Sequence, residues 1–111
     1  MKSLLVIAHG SRREASNDEV RELTARIAKK TGQAFDIVHS AFLELAEPSI
    51  PGGIALCAEQ GAKEIIVLPY FLSAGRHVAE DIPNEVAATR DKFPEVNITI
   101  APYFGSIDAI A

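Results

Sequence analysis

The chain has 111 residues, a formal net charge of −4 and a hydrophobic fraction of 48%. This length suits one domain with one core, and the acidic balance argues against a general nucleic-acid binder, whose surface is basic. The single cysteine, Cys57, excludes an internal disulfide framework and a cysteine-based zinc site. No apolar run approaches the roughly 20 residues of a membrane span, and we expect a cytoplasmic protein.

The first half of the chain has the pattern of a strand, a helix and a second strand. Residues 4–8 form a continuous apolar run, which is typical of a strand buried on both faces. Residues 14–30 have the apolar periodicity of a helix, and Gly32 is placed to end it. Residues 35–42 form the second predicted strand.

The second half continues the alternation. Ser49 is predicted to cap a second helix. Residues 65–71 form the third predicted strand, in which Pro69 is tolerated only at the end of the hydrogen-bonded ladder. A third helical pattern extends to Phe93, and residues 97–101 form the fourth predicted strand.

Strands that alternate with helices predict an α/β fold with an open, doubly wound parallel sheet and helices on both faces. Right-handed crossovers favour the strand order 2-1-3-4. Residues 106–111 have the pattern of the first turn of a fourth helix. We therefore expect residues 1–111 to form one domain that lacks its last helix and associates with itself through the face left under-covered.

Polar residues follow three of the predicted strands. In such sheets ligands bind outside the carboxyl ends of the strands, where the strand order reverses. His9 follows the first strand, Glu44 and Glu47 follow the second, and His77 follows the third. Neutral imidazole is a common ligand of transition metals, and a site with two or three protein ligands leaves room for a substrate. The sequence therefore predicts a metal site at this edge.

Three of these residues also have a structural interpretation. His9 can simply end a strand, His77 can belong to the first turn of a helix, and Glu47 can be a solvated loop charge. His39 lies in the middle of a predicted strand, remote from its end, and we interpret it as structural. Three arginines near the edge are either solvated charges or receptors for carboxylates: Arg12, Arg13 and Arg76.

Three stretches carry a resemblance to a known family: residues 9–12 (HGSR), 41–51 (AFLELAEPSIP) and 69–83 (PYFLSAGRHVAEDIP). The sequence resembles the small, single-domain sirohydrochlorin chelatases of the CbiX/SirB type, within the class II chelatase superfamily. The resemblance covers the chain up to the last helix. It implies a chelatase-like fold, a homodimer, and ATP-independent insertion of Co²⁺, Fe²⁺ or Ni²⁺ into sirohydrochlorin, with Co²⁺ preferred and no tightly bound cofactor.

The resemblance also implies roles for individual residues. His9 matches the family's metal-binding histidine and proton acceptor, and His77 matches its second metal ligand. Glu44 matches a glutamate that more distant relatives carry close to the metal. The positions that match contacts to the tetrapyrrole are Glu47, Leu72, Ser73, Ala74, Gly75, Arg76 and His77. Whether His9 or Glu44 takes the pyrrole proton remains open at this stage, as does the physiological metal.

Three other functions compete with this one. A histidine phosphatase pairs its histidine with a preceding arginine, but that position here is Ala8. A hydrolase centred on Ser11 would need the second glycine of a nucleophile elbow, which is missing. A non-catalytic carrier of metal or tetrapyrrole would need the same pocket as a chelatase, and the sequence does not separate the two.

Overall fold

The computed structural model describes residues 1–70 and 76–101, without the side chains of Gln33 and of residues 76–81. Its elements are β1 (Lys2–Ala8), α1 (Glu14–Thr31), a short 3₁₀ helix (Gly32–Ala34), β2 (Ile37–Phe42), α2 (Ile50–Glu59), β3 (Glu64–Pro69), α3 (Arg76–Arg90) and β4 (Asn97–Ile100). The predicted fourth-helix segment, residues 106–111, lies outside the described residues. Among the described residues, no helix combines the length and apolar character that a membrane crossing requires.

The four strands form one parallel sheet in the order β2-β1-β3-β4, which confirms the predicted doubly wound topology. β1 is a central strand, and its Ile7 lies opposite Ala41 of β2 and Pro69 of β3. Ala8, the last residue of β1, pairs with Phe42, the last residue of β2. The carboxyl ends of these three strands therefore meet at one edge of the sheet.

Helices cover both faces of the sheet because successive side chains of β1 point to opposite sides. One face packs against α2 and α3 in a core that includes Leu5, Ile7, Ile54, Cys57, Val67 and Val86. The other face packs against α1 in a smaller core of Leu4, Val6, Ile27 and Leu68. This division explains why residues 4–8 form an uninterrupted apolar run.

Two local predictions on the second half of the chain are confirmed. The Ser49 side chain caps α2, because its Oγ accepts a hydrogen bond from the Gly52 N–H at 3.1 Å. Pro69 is the last residue of β3, and the N–H of Tyr70 then donates to the Ile7 carbonyl at 2.7 Å. Proline is accommodated here because residue 69 lies beyond Val67 and Ile100, the last pair that β3 forms with β4.

Several predicted boundaries differ from the structure. β3 runs from Glu64 to Pro69 rather than over residues 65–71, and β4 ends at Ile100 rather than at residue 101. β2 begins at Ile37 rather than at residue 35, because the 3₁₀ helix occupies the preceding residues and Phe35 packs into the core beside α1. α3 ends at Arg90 rather than at Phe93. The N–H of Phe93 instead donates to the Arg90 carbonyl in a turn, at 3.1 Å.

Cys57 is fully buried in α2, as its apolar surroundings predict. Its Sγ accepts a hydrogen bond from the Ser3 hydroxyl at 3.0 Å. Burial raises the pKa of the Cys57 thiol, and the hydrogen bond from Ser3 lowers it by a smaller amount. Cys57 is thus a structural residue of the core.

Candidate metal and tetrapyrrole site

His9 and Glu44 lie side by side where β1 and β2 end. The distance from His9 Nε2 to Glu44 Oε1 is 3.5 Å, and both side chains are about half exposed. The two main chains are also joined, because the Glu44 N–H donates to the His9 carbonyl at 3.0 Å. A solvent-facing imidazole and a carboxylate therefore share the edge of the sheet at which the sequence places a site.

Main-chain hydrogen bonds fix the Glu44 loop, which comprises residues 43–48. The N–H of Leu43 donates to the Ala8 carbonyl at 2.9 Å, so the pairing of β1 with the β2 segment continues past the end of the sheet. At the other end of the loop, the N–H of Phe42 donates to the Pro48 carbonyl at 2.8 Å. The peptide bond from Glu47 to Pro48 is cis. Both ends of the loop are thus fixed to the sheet.

Gly10 allows the two chain segments to approach each other. Its φ is 95°, in the region that favours glycine. A Cβ at this position would lie 1.7 Å from the carbonyl oxygen of Glu44, which is far inside contact distance. Any residue with a side chain would push the segment after His9 away from the Glu44 loop.

A buried amide holds the segment that follows Gly10. The Asn17 side chain is 1% exposed and lies in the first turns of α1. Its Oδ1 accepts from the Ser11 N–H at 2.9 Å, and its Nδ2 donates to the Ser11 carbonyl at 2.8 Å. The Ser11 hydroxyl oxygen accepts from the Arg13 N–H at 3.0 Å and so helps to turn the chain into α1.

Arg21 links α1 to the far side of the Glu44 loop. Its guanidinium contacts Glu14 at 2.6 Å and Asp18 at 2.8 Å, and these two hydrogen bonds raise the pKa of Arg21. The same group donates to the Glu47 carbonyl at 3.2 Å and lies 5.2 Å from the centre of the Phe42 ring. The loop is therefore attached to both a strand and a helix.

The loop surrounds a depression of about 330 Å³, lined by Phe42, Leu43, Glu44, Leu45, Ala46, Glu47 and Ser49. Leu45 is 54% exposed and has a φ of 66°, an uncommon conformation for a residue other than glycine. Glu47 is exposed on the same loop. The site thus combines a polar pair with an exposed apolar side chain.

The structure places the other predicted site residues as follows. Arg76 and His77 lie in the first turn of α3, and their side chains are outside the described residues, as are Leu72, Ser73, Ala74 and Gly75 altogether. Among the side chains that the structure describes, no group of three His, Cys, Asp or Glu residues could hold a metal ion. Glu47 lies on the same loop as Glu44, and Arg12 and Arg13 are exposed before α1.

His39 lies apart from the His9–Glu44 pair. It pairs with Leu5 halfway along β2, an edge strand, and its Nε2 lies 2.9 Å from Gln60 Oε1. These contacts agree with its structural interpretation.

Sequence inspection passed over three residues that shape this site: Asn17, Arg21 and Leu45. Asn17 had a visible signal, since it is a polar residue three positions before Val20 on the apolar face of α1. Arg21 had none, because its partner Glu47 lies 26 positions away. Leu45 gave a weak signal as an apolar residue that directly follows the acidic Glu44.

The chain is similar in sequence to known proteins. The sequence matches the CbiX family model over residues 3–111. It is 40% identical over 102 residues to the chloroplastic sirohydrochlorin ferrochelatase of Arabidopsis thaliana, covering 92% of this chain and 44% of that protein. It is 39% identical over 93 residues to the sirohydrochlorin cobaltochelatase of Methanocaldococcus jannaschii, covering 82% of this chain and 62% of that protein. The chain thus spans only part of the length of these relatives.

Solved structures share the fold. A CbiX protein from Marinobacter aquaeolei VT8 superposes with a TM-score of 0.76 at 26% identity, over 99% of this chain and 88% of that one. The sirohydrochlorin chelatase SirB from Bacillus subtilis, in complex with cobalt, gives a TM-score of 0.78 at 30% identity, over 92% of this chain and 43% of that one. The family match, the sequence identities and the shared topology agree: the chain belongs to the CbiX family.

Proposed function

We propose that this chain catalyses the ATP-independent insertion of a divalent metal ion into sirohydrochlorin. The observation that carries the proposal is the pairing of His9 Nε2 with Glu44 Oε1, 3.5 Å apart at the carboxyl edge of the sheet. The names of the relatives from Arabidopsis and Methanocaldococcus support sirohydrochlorin as the substrate. This chain covers 44% and 62% of those two proteins.

The reaction defines what the site has to supply. One M²⁺ ion enters the macrocycle, two pyrrole N–H bonds break, and two protons leave, so the overall charge is conserved. A chelatase therefore needs a ligand that releases its metal and a base that accepts a proton. A neutral imidazole serves both purposes in turn, since the lone pair that binds the metal becomes free for a proton when the metal moves to the pyrrole nitrogens.

In this scheme His9 is a metal ligand and the catalytic base. Glu44 lies within range to stabilise the imidazolium of His9 or to accept the proton from it. The half-exposed position of both side chains suits a site that takes in a large substrate and releases protons to water. The second proton is assigned to solvent.

We assign the second metal contact to His77, in the first turn of α3. The support is topological, because α3 follows β3 and β3 pairs directly with β1, whose end carries His9. Glu47 and residues 72–77 are proposed to contact the tetrapyrrole. The tetrapyrrole carries carboxylates, which arginine side chains bind well. We assign this binding to Arg12, Arg13 and Arg76.

The test is an anaerobic absorbance assay of the purified protein with sirohydrochlorin and, in separate reactions, Co²⁺, Fe²⁺ and Ni²⁺. We expect conversion of the tetrapyrrole spectrum faster than the spontaneous rate, with many turnovers per protein molecule. A stoichiometric spectral shift without turnover would favour a carrier instead. No binding and no acceleration with any metal would refute the proposed function.

Three finer assignments belong to the same proposal. Co²⁺ is the preferred metal, which a higher rate with Co²⁺ than with Fe²⁺ or Ni²⁺ would support. The active form is a homodimer, as the family resemblance implies; a monomeric mass by light scattering at assay concentration would contradict this. The location is the cytoplasm, where a lone thiol such as Cys57 stays reduced.

A further inference from the structure

Leu45 is an apolar side chain held out in solvent. Among the described side chains, only Met1 and Leu45 are large, hydrophobic and exposed, at 62% and 54%. Met1 is the first residue of the chain, whereas Leu45 lies in a loop with both ends attached to the sheet. An isolated exposed apolar residue is ordinary on a protein surface, so its exposure alone assigns it no role.

The backbone conformation of Leu45 gives a second, independent observation. Its φ of 66° lies in the left-handed region, which glycine and asparagine adopt more readily than leucine. The N–H of the preceding Glu44 is bonded to the His9 carbonyl, and the loop closes where Phe42 N–H meets the Pro48 carbonyl. The surrounding bonds therefore hold a leucine in a conformation that costs stability, which is a pattern found at functional sites.

The position of Leu45 beside the His9–Glu44 pair gives the third observation. Leu45 directly follows Glu44, whose carboxylate lies 3.5 Å from His9, and it lines the same depression. A tetrapyrrole has a broad apolar face surrounded by carboxylates, with its pyrrole nitrogens at the centre. A site that directs His9 and Glu44 at the nitrogens needs an apolar contact for the face beside them.

We propose that Leu45 is a substrate-contacting residue whose side chain packs against the face of the tetrapyrrole macrocycle; this inference rests on the proposed function. Leu45 contributes affinity and takes no part in the transfer of metal or protons. Its replacement by a polar residue weakens substrate binding and leaves the rate at saturating substrate near that of the unmodified protein.

The test compares Leu45→Asn with Leu45→Met. Asparagine tolerates the left-handed conformation but removes the apolar contact, whereas methionine keeps an apolar side chain of similar volume. For Leu45→Asn we expect the Kd for metal-free sirohydrochlorin and the KM to rise about tenfold, the size of effect that losing most of one buried leucine produces. For Leu45→Met we expect values close to those of the unmodified protein, with kcat preserved in both variants.

The melting temperatures of two further variants test the positive φ of Leu45 without any substrate. Leu45→Gly should melt at or above the temperature of Leu45→Ala, because glycine adopts a positive φ without the penalty that alanine incurs. A clearly lower melting temperature for Leu45→Gly would contradict the conformation on which the inference depends.

The outcomes separate this inference from the proposed function. If the unmodified protein binds and metallates sirohydrochlorin but folded Leu45→Asn binds it equally well, the role of Leu45 is refuted and the function stands. If Leu45→Asn converts a dimer into monomers and leaves the affinity for sirohydrochlorin unchanged, Leu45 belongs to a subunit interface instead. If the unmodified protein neither binds nor metallates the tetrapyrrole, both proposals fail.

Discussion

Gly10 and Glu44 touch through their main chains so closely that a Cβ on Gly10 would lie 1.7 Å from the Glu44 carbonyl oxygen. We therefore predict that Gly10→Ala separates the segment after His9 from the Glu44 loop. The steric overlap together with a φ of 95° should cost about 3 kcal/mol of unfolding free energy. Metal insertion per folded molecule should fall at least about tenfold, because the His9–Glu44 pair is no longer held together.

Gly32→Ala provides the matched control for this substitution. Gly32 also has a positive φ, of 56°, but a Cβ there would meet no atom within 4 Å. Its ψ of −117° places it outside the left-handed helical region, in a conformation that side chains strongly disfavour. We expect this variant to lose about 1–3 kcal/mol of stability and to keep its activity per folded molecule. Urea unfolding followed by circular dichroism, combined with the absorbance assay, measures both quantities. Equal activity losses in the two variants would contradict the proposed role of the Gly10 contact.

His9→Ala should abolish metal insertion without unfolding the protein. Removing a ligand that also acts as base is expected to lower turnover about a hundredfold or more. Because the side chain is 48% exposed, the free energy of unfolding should change by no more than about 0.5 kcal/mol. Steady-state rates and urea melts test the two halves of this prediction.

The control is His39→Ala, which removes the same side chain from the middle of β2, where it contacts Gln60. His39→Ala should retain the turnover of the unmodified protein. Near-normal turnover in folded His9→Ala would eliminate the mechanism proposed above, and a large activity loss in His39→Ala would place the site elsewhere.

Asn17→Asp should destabilise the fold through a single lost donor. Asn17 Nδ2 donates to the Ser11 carbonyl at 2.8 Å, and a carboxylate would direct an oxygen at that carbonyl. With the side chain 1% exposed, we expect a loss of about 2–3 kcal/mol at neutral pH. The loss should shrink as the pH falls, because a protonated carboxyl group regains a donor.

Asn84→Asp makes the same chemical change at an exposed position on α3. Its effect should stay within about 0.5 kcal/mol. Urea melts of both variants at pH 4 and pH 7 provide the comparison. A penalty for Asn17→Asp that does not depend on pH would show that the lost donor is not its cause.

Cys57 should make stability decrease at alkaline pH. Burial raises the pKa of its thiol in the folded chain. The folded chain therefore keeps this proton at pH values where the unfolded chain has lost it, so the contribution to stability is complete below the ordinary thiol pKa of about 8.5 and declines as the pH rises above it. Between pH 7.5 and pH 10 the free energy of unfolding should fall more steeply for the unmodified protein than for Cys57→Ala. Identical slopes would contradict the raised pKa.

Local patterns were sufficient to predict the fold. The continuous apolar run at residues 4–8, the cap at Ser49 and the permitted place of Pro69 each depend on neighbours in sequence. Given parallel strands and right-handed crossovers, the order β2-β1-β3-β4 follows from few alternatives. Convergence of His9 and Glu44 at one edge follows from the same topology.

The finer geometry of the site depends on distant parts of the chain. The approach of Gly10 to Glu44 depends on the register that joins Leu43 N–H to the Ala8 carbonyl. The left-handed φ of Leu45 is imposed by bonds at both ends of its loop, against the residue's own preference. Such features arise only when distant main-chain atoms are brought together, and local periodicity carries no information about them.

The Glu44 loop is joined to β1 through the N–H groups of residues 43 and 44. These hydrogen bonds use atoms that every residue except proline possesses, so they do not restrict which side chains the loop displays. Mutation can therefore alter positions 44, 45 and 47 while the backbone keeps its place beside His9. Such a loop offers an experimenter freedom to redesign the side chains beside His9 without changing the fold.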